Sequence, residues 1–473
     1  MSDKQPPRSL QDLIDSVPSI VAYLYNETVP PHCRNNPKLS PVPVEFSNWR
    51  EEQRAWRETA VLFDQSHHMP ELFLKGRDAL RLLNNLGINS LANLTTSRAK
   101  QFVACNFRGH IIGDCILHNL GPDSYELVSG MTLQNWVHYH AETGGYDVSV
   151  VRDPATTDDR SRKRTNFRFG LDGPNAGKIF DEVVDGQAPD IPFFNTARIK
   201  IRGCEVLALR HGMAGHRGVE LSGAYDQGPI VRAALLEDGE KFGLLPGGQR
   251  TYFSSSLESG WIGYPLPAIY TGDDLRGFRE WLPVSSWESR FALGGSFYTE
   301  DIEQYYVTPF DMGYGSIVNF DHDFIGRAAL ERLKEKPPRS RITLVWDHSD
   351  VERIYASLFE PGLPFKYLDL PVADYAMPQY DQVRHENGQL IGLSMHCGYS
   401  INEQKVLSLA LMNSDHATPG TKVEVLWGEP NGGSKKKLGE RHRQTVVRAT
   451  VAPAPYAQSV NAMKRATLSA SAE

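Results

Sequence analysis

Apolar residues recur at helical spacing through Leu10, Leu13, Ile14, Val17, Val21 and Leu24, which predicts a helix over 9–25 with Pro18 as a break inside it. Residues 26–44 are rich in proline and polar side chains and read as an extended loop. A second helix is predicted over 46–56, with Ser47 or Asn48 as its cap. The apolar runs then shorten. Strands are predicted over 61–64, 71–75, 101–104, 111–118, 125–129 and 167–171, with helices over 79–86 and 133–140 between them. Residues 154–164 are polar and charged, a loop. Asp172-Gly-Pro-Asn turns into a helix, with Pro174 suited to its first turn. Short strands follow over 199–201, 206–210 and 218–221, then a helix over 230–242 and another starting near Gly326. The Lys-Pro-Pro run within 335–340 is the clearest domain boundary. Beyond it, β-branched runs over 342–346, 382–392, 406–412, 421–427 and 445–451 suggest a small barrel or sandwich. A polar tail begins at Ser459.

Length changes the picture first: 473 residues exceed one ordinary core, so two or three domains are expected. A net charge of −7 leaves no basic footprint, which argues against nucleic acid as a partner. No apolar run approaches the roughly 20 residues that span a bilayer, and the polar start lacks a signal-peptide core. The expectation is a cytoplasmic protein with no membrane partner and no obligate protein partner. Five scattered cysteines without a Cys-x-x-Cys pair indicate neither a zinc site nor a disulfide framework.

Candidate chemistry centres on 250–261, Arg-Thr-Tyr-Phe-Ser-Ser-Ser-Leu-Glu-Ser-Gly-Trp, which follows the glycine-rich turn 245–249. Small residues leave room for a ligand, and aromatics can stack on a flat one. The Tyr252 hydroxyl can give a proton to an oxygen leaving group. A surface-facing strand with a half-buried Tyr and Trp accounts for the same residues. His67 and His68 adjoin; neighbours in a strand point opposite ways, so one is expected to face in. His138 and His140 diverge by about 200° on a helix, which disfavours a shared metal ion and leaves solvated or capping roles. Cys105 and Cys115 read as core residues. Gly432-Gly-Ser-Lys-Lys-Lys reads as a turn with a solvated basic run.

Several stretches, taken in order, resemble the glycine-cleavage T-protein superfamily of tetrahydrofolate-dependent enzymes. They are Gly-His-Ile-Ile-Gly-Asp at 109–114, Leu-Asp-Gly-Pro at 171–174, Arg210 through Glu220, Leu-Glu-Ser-Gly-Trp at 257–261 and Asp-Phe-Ile-Gly-Arg at 323–327. Glu-Phe-Ser-Asn-Trp-Arg at 45–50, Val-Leu-Phe-Asp-Gln-Ser-His-His-Met at 61–69 and Pro-Leu-Pro-Ala-Ile-Tyr-Thr-Gly at 265–272 are similar to the aryl O-demethylases that act on vanillate and syringate. The resemblance implies an α+β fold, a three-domain cloverleaf around a central folate channel with a C-terminal β-barrel-like domain. It divides the chain into a folate-binding catalytic region over 1–340, of two interleaved α+β domains with the first discontinuous, a β-rich domain over 341–455 and a tail over 456–473.

The same resemblance implies residue roles. Glu220 matches the carboxylate that grips the pterin, Phe193 and Trp261 match aromatics that pack on the folate, and Asp114 is the remaining acid of a cofactor-side pair whose first position is Gly113. That replacement puts aminomethyl transfer in doubt. Tyr252 matches the catalytic tyrosine, also in contact with the cofactor, and His68 the histidine beside it. Gln65 and His68 fall where the substrate sits. The implied reaction is methyl transfer from an aryl ether to tetrahydrofolate, with Tyr252 protonating the departing oxygen; phenol and tyrosine share a pKa near 10, which makes that transfer close to thermoneutral. The partners implied are tetrahydrofolate and a small methoxy-aromatic acid, with no metal required. Two departures bear on the substrate. Leu39 or Ser40 stands where vanillate-type members carry a tyrosine, and Met131 stands where they carry an arginine for the substrate carboxylate. Losing that bidentate clamp and gaining a soft side chain points to a substrate bulkier or more apolar than vanillate, such as syringate or a chlorinated methoxybenzoate like dicamba. The alternatives are aminomethyl transfer, another folate-dependent demethylation, or a folate-binding regulatory protein without catalysis.

Overall fold

Ser9 and Asp12 close a reciprocal capping box that starts helix α1 (Leu10–Ser16). Pro18 ends it, and Ser19 caps a separate α2 (Ile20–Asn26), so the break expected at the proline is present. Asn48 caps α3 (Trp49–Glu58), which buries Trp49 and Trp56. The computed structural model describes residues 6–28, 41–157, 159, 161–213, 216–373, 375–436, 439–457 and 460. Leu39 and Ser40 lie outside the described residues.

The chain then builds strands β1 (Ala60–Asp64) and β2 (Glu71–Lys75), helix α4 (Ala79–Leu86), and the hairpins of β3 (Ala99–Cys105), β4 (Ile111–Gly121) and β5 (Ser124–Ser129). Helix α5 (Met131–Thr143) and strand β6 (Ser149–Asp153) follow, then β7 (Asn166–Asp172), α6 (Ala176–Val183), β8 (Thr196–Ile201), β9 (Cys204–Arg210) and β10 (Val219–Ala224). Pro174 precedes the α6 cap residue Asn175 rather than lying within the first turn. Next come α7 (Gly228–Gly239), β11 (Leu244–Gly247), α8 (Gln249–Ser259), α9 (Arg276–Trp281) and α10 (Arg327–Leu333). The last part holds β12 (Arg339–Trp346), α11 (His348–Ala356), β13 (Asp381–Arg384), β14 (Leu390–Ser400), β15 (Lys405–Asn413), β16 (Lys422–Trp427) and β17 (Thr445–Pro453).

These strands form three sheets. One has six strands in the order β11-β1-β7-β10-β9-β8, parallel only where β1 meets β11. A second has five, β3-β4-β5-β2-β6, all antiparallel. The third is a closed barrel, β12-β15-β14-β13-β16-β17, as the β-rich runs lead one to expect. The turn between β1 and β2 carries Gln65 to Pro70 and passes from the first sheet to the second. Arg168 fastens that junction: from β7 its Nε donates to Glu71 Oε1 at 3.0 Å and its Nη2 to Glu126 Oε1 at 2.6 Å.

Four further expectations are overturned. The stretch 250–261 is not a strand but α8, set between extended Gly248 and left-handed Gly260, φ 70°. Its serines are accommodated because Ser254 and Ser255 donate to the carbonyls of Thr251 and Tyr252, at 2.9 and 2.6 Å, so their hydroxyls do not break the helix. The glycine-rich 245–249 is largely β11. The run 382–392 is a hairpin, turned by Asn387 and Gly388, φ 84°, an Asn-Gly signal. The basic run near 435 is not wholly solvated. Lys436 is buried, and its Nζ donates to the carbonyls of Leu24 at 2.9 Å, Leu293 at 2.5 Å and Tyr25.

Helix α8 leans on the barrel. Glu258 accepts from Ser400 Oγ at 2.6 Å and Asn402 Nδ2 at 2.9 Å, while Arg57 Nη2 lies 2.5 Å from its other oxygen. Gly398 of β14 lets Leu257 approach: a Cβ there would stand 2.8 Å from Leu257 Cδ1.

Candidate active site

A cavity of about 900 Å³ takes its walls from β4, β5, β10, α5 and α8. Gln65, His68, Asp114, Met131, Phe193, Glu220, Tyr252 and Trp261 all line it. Every described member of the residue set picked out in the sequence therefore faces one space. They arrive from a sheet-crossing turn, two sheets, two helices and two loops.

Glu220 stands near the start of β10, paired with Gly170 and Leu209 on either side. Its Oε1 lies 3.0 Å from His211 Nδ1. Its Oε2 is 3.5 Å from Arg168 Nη1 and has no hydrogen-bond partner among the described residues. Burial alone would raise this carboxyl, but the His211 hydrogen bond and the charges of His211 and Arg168 hold it down at about 2. It is an ionised acceptor facing the cavity.

Tyr252 occupies the first turns of α8. Its ring packs edge-on to His68 at 4.6 Å and Phe63 at 5.2 Å between centroids. Within reach of its hydroxyl is Met69 Sδ at 3.9 Å, a weak acceptor. Burial pushes the phenol well above its ordinary value; Tyr264 and Glu220 add to the shift and the Gln65 side chain opposes it.

His67 and His68 lie in a turn, not a strand, though they do part company as expected. His67 is buried with Nδ1 2.8 Å from Thr156 Oγ1, and His68 faces the cavity. Asp114 Oδ2 accepts from Gln101 Nε2 and Tyr314 Oη, both at 2.6 Å. Burial raises this carboxyl and the Tyr314 and Gln101 bonds lower it in part, for a net rise. Gly113 beside it is crowded by α5, since an added Cβ would meet Leu133 Cβ at 3.0 Å. Trp261 lies over Gly263, where a Cβ would meet the indole at 2.8 Å. Phe193 stands 4.9 Å from Phe194, centroid to centroid.

The histidines of α5 differ from the solvated or capping roles expected. His140 packs on Trp136 at 4.2 Å, and burial lowers its pKa to about 4; His138 Nε2 is 3.0 Å from Glu142 and lines the cavity. Sequence reasoning missed the long-range partners: His211, Arg168, Tyr264 and Tyr314, and the cavity-lining Arg152, Arg162 and Arg290. Of these only His211, inside the stretch 210–220, belongs to a motif read in the sequence, and no role was read for it there. Only the three-dimensional register brings them in.

Residues 37–266 match the model of the GCVT N-terminal domain family. Over 450 residues the chain is 44% identical to the syringate O-demethylase of Sphingobium sp. (strain NBRC 103272 / SYK-6), covering 95% of this chain and 96% of that protein. The chain belongs to the glycine-cleavage T-protein (GCVT) family. This T-protein-family chain is also 29% identical over 432 residues to the sesamin methylene transferase of Sinomonas sp. (strain No.22), covering 88% and 90% of the two chains. The solved glycine cleavage system aminomethyltransferase T from Bartonella henselae shares the T-protein fold, with a TM-score of 0.58 at 18% identity over 87% of this chain and 90% of that one. Members of the family are enzymes that use tetrahydrofolate. No helix among the described residues is long and apolar enough to cross a membrane.

Proposed function

We propose that this protein is a tetrahydrofolate-dependent aryl O-demethylase. It takes a methyl group from a methoxy-substituted aromatic acid and releases a phenol and 5-methyltetrahydrofolate. The observation that carries the reading is that one cavity holds both an ionised, buried carboxylate with an unfilled acceptor, Glu220, and a buried phenol, Tyr252. Folate binding alone does not call for the phenol.

The residues fit the cofactor. A buried carboxylate oxygen without a hydrogen bond is costly unless a donor meets it. The amino group and ring N–H of a pterin form a two-donor edge suited to it. Phe193 and Trp261 offer aromatic faces for the flat rings. A volume of about 900 Å³ lies near the upper end of small-molecule pockets, which reach about 1,000 Å³, so a second ligand fits alongside. When bound, the reduced folate supplies the amine that accepts the methyl group.

The chain's own groups do the rest. Arg168 and His211 keep Glu220 ionised, so the cofactor's orientation is fixed by a charge-assisted contact. His68 and Phe63 pack against the Tyr252 ring and set where its hydroxyl points. The hydroxyl stays protonated because burial disfavours its anion. It meets the ether oxygen as charge develops there and gives the proton as the aryloxide departs. Met131 at the start of α5 and Met69 make the aryl side soft and apolar. This favours a substrate bulkier than vanillate, a syringate-like acid or a chlorinated methoxybenzoate such as dicamba.

One assay tests the reading: purified protein with tetrahydrofolate and syringate should yield a freed phenol and 5-methyltetrahydrofolate in equal amounts. Folate binding without either product, on syringate or dicamba, would overturn it.

A further inference from the structure

The proposed reaction leaves one need unmet: something must hold the acid group of the aromatic substrate, since Met131 cannot. Arg152 lies on β6 opposite Leu72 of β2, on the same face of the sheet, and lines the cavity. Two residues back along β2's path is Pro70, about 7 Å away along a strand. Met69 precedes it and touches the Tyr252 hydroxyl. The guanidinium thus enters the cavity from β6 and the phenol from α8, with the turn between β1 and β2 beside both. Both Nε and Nη2 of Arg152 are shielded from solvent and have no hydrogen-bond partner among the described residues. Such a fork, with adjacent donors unfilled, is the geometry that takes a carboxylate in a bidentate grip.

The neighbouring charges are mixed. The Glu288 carboxyl faces Arg152, holds one bond from Asn135 Nδ2 at 2.9 Å, and leaves its Oε2 without a hydrogen bond. Arg162 and His138 face it as well, and burial lowers the guanidinium's pKa. No ion pair within 4.0 Å joins Arg152 to Glu288 among the described residues, so the donors are not consumed by the protein itself.

Resting on the O-demethylase reading, we propose that Arg152 binds the ring carboxylate of the aromatic substrate. It would replace, from a different strand, the arginine that the family's vanillate-type members place at the position of Met131. The tail of the folate carries carboxylates too, and the test separates the two sources.

The test is calorimetric and needs no turnover. Syringate, its decarboxylated twin syringol, and tetrahydrofolate are each titrated into wild-type protein and Arg152→Gln. The expected result is a syringate affinity about ten- to a hundredfold weaker in the variant, the span of a charge-assisted hydrogen bond, with syringol and tetrahydrofolate unchanged. Arg152→Lys should recover part of the preference for syringate over syringol. Equal weakening of both rings, unchanged syringate binding, or a loss confined to tetrahydrofolate would each overturn the assignment. Wild-type protein that binds neither ring would overturn it as well. Wild-type protein that binds syringate through Arg152 but does not demethylate it would sink the proposed reaction and leave the clamp standing.

Discussion

Arg168 Nη1 stands 3.5 Å from Glu220 Oε2, while the other two nitrogens of the same guanidinium bond Glu71 and Glu126 across the junction of two sheets. One side chain therefore ties the two sheets together and, with His211, holds the cavity-facing acid Glu220 ionised. Removing one partner of a buried ionic cluster typically costs about 3–5 kcal/mol. Arg168→Met should lower stability by about that amount in denaturant unfolding. A loss below about 1 kcal/mol, the range of a surface pair, would show that the junction does not depend on it.

Tyr252→Phe removes a hydroxyl and leaves the ring that packs on His68 and Phe63. The fold and tetrahydrofolate affinity should persist. Turnover should fall by about a hundred- to ten-thousandfold, the range of general acid catalysis. Phenol release in single-turnover assays checks it, and wild-type rates would remove Tyr252 from the mechanism.

The Glu220 carboxyl, held at about 2, lies below its ordinary value of about 4.3. A depressed carboxyl gives stability that is complete above the ordinary value and is lost as the pH falls through the folded one. Glu220's share of stability and of folate affinity should thus stay level from neutrality down to about pH 5 and decline only below it. Glu220→Gln should weaken tetrahydrofolate by about tenfold or more at neutral pH. Binding curves for both proteins across pH check this; a wild-type transition near neutrality that vanishes in the variant would contradict the assigned charge.

Substrate preference offers a separate check on the aryl wall. With Met131 in place of an arginine, syringate and dicamba should turn over faster than vanillate under identical tetrahydrofolate. The preference for dicamba over syringate is the finer expectation. A strong preference for vanillate would show that Met131 does not shape the pocket.

Local chemistry made much of this molecule readable. Ser9, Ser19 and Asn48 cap helices where hydroxyl or amide side chains precede apolar periodicity, and the β-branched runs beyond Arg339 do close into a barrel. Resemblance supplied the cavity set, which no spacing rule would have assembled from seven separate places. Helix α8 presents only Phe253 and Leu257 at helical spacing among its serines, too short an apolar stripe to read as a helix; the hydroxyls of Ser254 and Ser255 are satisfied inside it. Lys436 was misread because only the tertiary fold brings the carbonyls of Leu24, Tyr25 and Leu293 to one point. Arg152 and Arg168 look like ordinary strand arginines until the register shows what they face.

Glu258 also bears on any attempt to trim this chain. Among the described residues the barrel provides none of the side chains around the large cavity, yet Ser400 and Asn402 grip the far end of the helix whose opening turns carry the phenol. A shortened protein ending before Arg339 would keep every ligand-facing group and lose the mooring of α8. Substitutions in β14, remote from the cavity, have a mechanical route to the position of the phenol.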